Sequence, residues 1–178
     1  MDGILDFRGA ALWSAARLRA FLQACALLTL VASCEAAFAP AYDPALVAGF
    51  NETNEEALAL FSALAGGSNA GAYPRYAAQY DGVIGSFEAL KLQAEARPVP
   101  PLPPAVAARV SPDDCPADAR CAINPTPFNL AGIIDDLNLL KERHARVGLV
   151  PDYVGLRKED YEIYAANVLV LEEYLKRD

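Results

Sequence analysis

Four stretches of this chain repeat apolar residues at alternating intervals of three and four, and most of them open or close at proline or glycine. The first carries Leu46, Phe50, Asn54, Ala57, Phe61 and Leu64, opens at Asp43-Pro44 and stops at Gly66-Gly67. The second carries Tyr76, Tyr80, Val83, Phe87, Leu90 and Ala94 between Pro74 and Arg97-Pro98. Thr126-Pro127 opens the third, with Leu130, Ile133, Leu137, Leu140, His144 and Val147 before Gly148. The fourth runs from about Arg157 through Tyr161, Tyr164, Val168, Leu171 and Leu175. Three-and-four spacing collects each set on one stripe of an α-helix, and no run alternates with the period of two that a strand requires. Asp before Pro supplies a cap and a preset first turn.

Four amphipathic helices of this length must bury four stripes, and a bundle is the simplest way to do so. Short links pair the first helix with the second and the third with the fourth. Between the pairs lie Pro98, Pro100, Pro101, Pro103, Pro104, Pro112, Pro116 and Pro125. The Pro98–Pro104 run favours extended polyproline II and excludes helix. The expected fold is therefore all-α: a four-helix bundle made of two helical hairpins joined by a long proline-rich crossover. Helices are expected over about 44–65, 74–96, 127–147 and 157–177, with the crossover at 98–126. A connection of that size is long enough to run the length of the bundle, so the two hairpins can pack parallel or antiparallel.

Few residues in these stripes carry chemistry. Asn54 falls on an apolar seam, where an amide fixes register at a cost in stability. The second and fourth helices are rich in tyrosine. Inward hydroxyls from Tyr76, Tyr80, Tyr161 and Tyr164 beside Asn54 would line a small polar ligand site; the competing reading is core packing with hydroxyls at the rim. His144, the single histidine, sits one turn from the end of its helix, where the helix dipole favours the charged ring. The carboxylates at Glu52, Glu55, Glu56, Asp135, Asp136, Glu159, Asp160 and Glu162 fall mainly off the stripes, as solvated faces do. No Glu-x-x-His pair, CxxCH, GxSxG, GxGxxG, Walker loop or HExxH occurs. The chain thus offers no catalytic residue, no metal set and no cofactor site that its sequence can name.

The N-terminal region has its own pattern. Arg17 and Arg19 precede the fourteen uncharged residues 20–33, AFLQACALLTLVAS, too few for an ordinary membrane-spanning helix, which needs about 20. Charge, apolar run and small residues in that order describe an export signal. Within it, Val31-Ala32-Ser33-Cys34 resembles the lipobox of bacterial lipoproteins. That resemblance covers only about the first 35 residues. It implies a signal peptide over 1–33, cleavage before Cys34, a diacylglyceryl group on the Cys34 thiol and a second acyl group on the new amino terminus. Residues 34–43 then form a tether to the helices at 44–178. Glu35, in place of the Asp that favours inner-membrane retention in enterobacterial lipoproteins, points to the outer membrane, facing the periplasm. Three competing readings are cleavage after Ala37-Phe38-Ala39, which Pro40 opposes, an uncleaved anchor helix over 10–33, and an ordinary buried helix with Cys34 as a core thiol.

Cleavage would remove Cys25 and lipidation would occupy Cys34, leaving Cys115 and Cys121. In an oxidising compartment the expectation is a disulfide; the alternative is a metal site with Asp113, Asp114 or Asp118. Loss of Arg8, Arg17, Arg19, Asp2 and Asp6 would take 15 basic and 23 acidic residues to 12 and 21, a net charge of −9. Such a surface repels nucleic acid. The functional expectation is a non-enzymatic envelope lipoprotein, held to a membrane through its lipid, whose helices serve as an interaction or structural module for another envelope protein. The alternative is a periplasmic bundle that binds a small ligand.

Overall fold

Asp43 starts the first helix as its sequence requires. Its backbone is extended (φ −121°, ψ 100°), and its carboxylate accepts hydrogen bonds from the amides of Ala45 (2.9 Å) and Leu46 (3.2 Å). Two of the helix's unpaired N–H groups are thereby satisfied, and Pro44 lacks the one it would have left free. The computed structural model describes residues 39–100 and 124–176. The expected signal peptide, Cys34, the expected disulfide between Cys115 and Cys121 and most of the crossover lie outside the described residues.

The described residues form four α-helices: α1 (Pro44–Leu64), α2 (Ala77–Glu95), α3 (Thr126–Val147) and α4 (Pro151–Leu175). A 3-10 helix, Ala70–Arg75, links α1 to α2. Among the described residues the structure is all-helical, with a single isolated β-bridge, Ser68 to Leu149. No described helix is long and apolar enough to cross a membrane.

Two helix starts differ from expectation. Pro74 lies inside the 3-10 segment, and α2 begins only at Ala77. Between them Tyr76 (φ −110°, ψ −11°) closes the 3-10 helix and caps α2. The fourth helix starts at Pro151, well before Arg157. Pro151 stands at the first helical position with its φ already set. Its first turns turn only Val154 fully inward, so the apolar rhythm is weak where the helix begins.

Each helix buries one stripe. In α1 this is Leu46, Phe50, Thr53, Ala57, Leu60, Phe61 and Leu64; Thr53, not Asn54, is the buried polar residue, and its hydroxyl donates to the Gly49 carbonyl at 2.9 Å. α1 packs on α2 and α4, and α3 packs on α2, α4 and the 3-10 helix. Phe50, Phe87, Tyr161 and Phe61 form a chain of ring contacts across the core, with centroids 5.9, 6.2 and 5.2 Å apart. All four rings are essentially inaccessible, each contributing about 1.5–3 kcal/mol by burial. Gly132 admits α4 closely: a Cβ there would come within 2.6 Å of the Tyr164 ring.

The two ends are marked by specific contacts. Gln93 near the end of α2 donates to Asp43 at the start of α1 (2.8 Å), and Arg97 reaches both Glu172 near the end of α4 and Asn124 just before α3. At the other end the Ser68–Leu149 bridge joins the α1–α2 link to the α3–α4 link. Arg97 and Asn124 are in direct contact, so the proline-rich connection leaves and returns at the same end.

Candidate functional site

The residues expected to line an interior ligand site fall into separate places. Tyr161 is fully buried, and its hydroxyl donates to Asn54 Oδ1 at 2.6 Å. Burial among apolar rings pushes the Tyr161 phenol far above its ordinary range. Tyr164, half-buried, lies over Gly132. Tyr76 and Tyr80 sit at the opposite end, around His144. Asn54, half-buried beside the stripe rather than on it, does meet Tyr161, but Tyr161's hydroxyl is taken up by Asn54 and its ring is held between Phe61 and Phe87.

His144 is the centre of the second group. Its ring is fully buried; Nδ1 lies 3.3 Å from the Tyr80 hydroxyl and Nε2 lies 2.9 Å from Ser68 Oγ. Tyr73, Tyr76 and Tyr80 surround it, with ring centroids 5.7, 5.5 and 6.0 Å away. A neutral imidazole satisfies both polar contacts, donating at one nitrogen and accepting at the other. Desolvation lowers the His144 pKa, opposed by a backbone hydrogen bond at Asn69. The helix end was expected to favour the charged ring; burial outweighs it, and the neutral form is the stable one. Tyr80 likewise is held protonated, chiefly by burial. Ser68 gave no sequence signal, because it lies in a glycine-rich link without periodicity.

A third cluster, at the opposite end, is ionic. The Arg97 guanidinium donates twice to Glu172, Nη1 to Oε2 at 3.0 Å and Nη2 to Oε1 at 2.8 Å. Nη2 also donates to Asn124 Oδ1 (3.0 Å), Asn124 Nδ2 donates to the Ala94 carbonyl (3.0 Å), and the Thr126 hydroxyl donates to Glu172 Oε1 (2.7 Å). All four side chains are buried. This clasp fixes the end of α2 and the start of α3 to α4. Its sequence signal was the spacing Tyr161, Val168, Glu172, Leu175, which sets Glu172 on the inner stripe in place of Leu171.

Asp136 was read as part of a solvated face and is instead buried against Arg157, with Nη1 to Oδ1 at 2.6 Å. Desolvation raises its pKa, and the nearby Arg157 charge opposes that rise. Arg157 also pairs with Asp160 at 2.5 Å. Among the described residues no group of three or more His, Cys, Asp or Glu side chains is placed to hold a metal ion.

The outer surface of α4 carries apolar side chains among its acids. Leu156, Ile163, Val170 and Tyr174 are 50, 59, 72 and 60% exposed. Beside the last two, Phe128 and Pro125 of the α3 start help wall an open groove of about 490 Å³, with Asn129 and Asn167 among its lining residues. The Asn167 amide donates to Asn129 Oδ1 at 3.3 Å.

These features define a small helical unit with polar clusters that hold its ends and an apolar outer ridge. No protein-family model, curated protein or solved structure matches the chain.

Proposed function

We propose that this chain is a bacterial envelope lipoprotein, anchored through Cys34 at the outer membrane and facing the periplasm, whose helices form a non-enzymatic interaction module for another envelope protein. The ring of helix contacts is read as a four-helix bundle of two hairpins, with Cys115 and Cys121 joined by a disulfide in the crossover. The observation that carries the interaction reading is the outer ridge of α4. A helix apolar on two opposite sides is ordinarily covered on both, and exposed apolar patches mark binding surfaces. The anchor is supported by the Val31-Ala32-Ser33-Cys34 motif behind an apolar run, and two or more acyl chains give the firm attachment that one does not.

A ligand held in the interior near Asn54 is the weaker reading, since Tyr161 already spends its hydroxyl on that amide. His144 with Ser68 resembles a catalytic pair only in part: its ring is closed off from solvent, which suits a structural pin better than a general base.

Metabolic labelling with palmitate tests the anchor. The wild-type chain is expected to take up label and sediment with membranes, and Cys34→Ser to do neither. Label retained by Cys34→Ser would sink the anchor reading, and reproducible turnover of a substrate would sink the non-enzymatic one.

A further inference from the structure

The α1–α2 link, residues 65–76, is built differently from the helices it joins. None of its residues is fully buried, whereas each of the four α-helices buries a stripe. Its ties to the rest of the unit are few. They are the paired hydrogen bonds of the Ser68–Leu149 bridge (3.0 and 2.6 Å), the Ser68 hydroxyl on His144 Nε2, and the Tyr73 and Tyr76 rings against the imidazole. Gly66 and Gly67 precede Ser68, with Gly67 at φ 82°, so the link has a small-residue hinge where it leaves α1. A segment that buries so little opens at far lower free energy than the core beneath it.

His144 sits under this link and is fully buried. As a neutral ring it fits both neighbours: Nδ1 accepts the Tyr80 proton (3.3 Å) and Nε2 donates to Ser68 (2.9 Å). A charged ring would carry a proton on Nδ1 as well, facing the proton of Tyr80. Tyr80 is fully buried, and among the described residues its hydroxyl has no other partner. Nor does any carboxylate among the described residues contact the ring. The 3-10 helix brings Tyr73 and the exposed Arg75; the start of α2 brings Tyr76, Tyr80 and Asp81, and Asp81 is paired with Lys141 at 2.5 Å. On α3 the neighbouring charges are Lys141, Glu142, Arg143 and Arg146, the last three exposed, and Asp152 at the start of α4 is exposed too. The Asn69 backbone favours the charged ring, and burial outweighs it.

We propose that His144 is a proton-operated latch: protonation drives the ring out of its cage and the 65–76 link swings away from α3, while the four α-helices stay packed. The link carries Ser68 and Tyr73 with it, breaks the bridge to Leu149 and opens the Tyr80 hydroxyl and the imidazolium to water. The charged ring is stable only in the open form, where water supplies the hydration that the cage withholds. Opening therefore begins as pH falls below 6.5, the ordinary value for an imidazole. It deepens by at most about tenfold per pH unit, the change that one proton allows. The latch needs neither the lipid anchor nor a partner protein.

His144 is the single histidine of the chain, so its ring reports the latch directly. In NMR of the full chain in detergent, one imidazole signal with the shift of a neutral, buried ring is expected at pH 7.5. Between pH 6.5 and 5 a second signal, that of an exposed imidazolium, should grow at its expense while helical circular dichroism stays unchanged. Hydrogen exchange supplies the location. The Ser68 and Leu149 amides pair with each other's carbonyls, and should exchange at least about a hundredfold faster than those of Val83, Phe87 and Val168. After correction for intrinsic rates, they should speed up by as much as about tenfold per pH unit below the ordinary imidazole value. His144→Gln, neutral at every pH, should lose that acceleration. A single signal that titrates smoothly around 6.5 would mean that the ring is already open to water. A second signal that appears only as helix is lost, or bridge amides as protected as core ones, would mean that the whole unit unfolds at once. Bridge exchange unaffected by pH, or an acceleration that persists in His144→Gln, would show that this proton does not work the link. Each of these results overturns the latch.

Discussion

Both ends of the helical unit are tied by buried polar side chains, yet one tie is ionic and the other neutral. At the end where α2 hands over to the proline-rich connection, Arg97 and Glu172 form a two-pronged ion pair, completed by Asn124 and Thr126. At the far end His144 links Tyr80 and Ser68 without a full charge, beside the backbone bridge from Ser68 to Leu149. The ionic tie has large opposing terms. Desolvating two charges costs several kcal/mol each, and their attraction offsets this only while both are present. The neutral tie has smaller terms, and it closes a link that glycine geometry has already shaped. The first end is therefore sensitive to the loss of either partner, and the second to acid and to backbone substitution.

The largest expected effect comes from splitting the ion pair. Glu172→Gln leaves the Arg97 charge buried with a neutral partner, where Nε already has no hydrogen-bond partner. The expected loss is about 3–5 kcal/mol in urea unfolding. Removing both charges, as in Arg97→Met with Glu172→Met, should recover most of that loss. A double variant as unstable as the sum of the two single ones would show that packing, not charge, makes this end fragile.

At the other end the first point of attack is the backbone. Gly148 ends α3 with φ 82° and ψ 178°, a region essentially reserved for glycine. A Cβ there would stand 2.7 Å from the Ser68 carbonyl oxygen and 3.0 Å from the Ala70 amide. Gly148→Ala is expected to lower stability by about 1–3 kcal/mol, toward the upper part of that range because the contacts are with backbone. Gly66, two residues before Ser68 in the α1–α2 link, has open space around its Cβ position, so Gly66→Ala serves as the control and should be neutral or slightly stabilising.

His144 makes the same end acid-sensitive. Its folded pKa lies below the ordinary value of 6.5, so the unfolded chain binds the proton first. The stability it contributes is fully present above pH 6.5 and declines as pH falls from there toward the folded pKa. One group gives a slope of at most about 1.4 kcal/mol per pH unit. Urea unfolding between pH 7.5 and 5 should show that decline in the wild-type chain and a flatter profile in His144→Gln. Equal slopes in the two proteins would mean that the imidazole is not what makes this end respond to acid.

How these ties could have been foreseen differs between the ends. Helix existence was plain from the three-and-four spacing, and the Asp43 cap before Pro44 lies where the structure has it; α3 instead has Pro125 at its cap position and Thr126 as its first helical residue, with no side chain capping it. Glu172 was recoverable, since a heptad count from Tyr161 through Val168 runs directly beside it. Ser68 and Tyr73 were not, because their roles come from a 3-10 segment that brings the α1–α2 link over His144, and no periodicity encodes that. Asp136 illustrates a different gap. Its burial depends on Arg157 crossing from α4, a pairing between helices that a single-helix pattern does not contain. Asn54 was read on the seam that Thr53 in fact occupies, and its hydrogen bond to Tyr161 depends on the side-by-side packing of α1 and α4, which a single-helix pattern does not contain.

The smallest expected effect separates the two parts of the ionic end. Asp43 accepts from two backbone amides of α1 and from Gln93 of α2, and the Gln93 hydrogen bond is the main reason its pKa lies below 3.8. Its contribution is thus present above pH 3.8 and lost as pH falls through the folded value, well below the range in which His144 acts. Asp43→Ala should cost about 1 kcal/mol, the usual worth of a helix cap. Asp43→Asn keeps an oxygen for the amides and should cost less. If the capping end behaves as a local structure, the Asp43→Ala loss will add to that of Glu172→Gln within about 0.5 kcal/mol, as distant sites do. A larger deviation would mean that Gln93 carries strain from the cap along the last turn of α2 to Arg97, and that the cap and the ion pair act as one clasp.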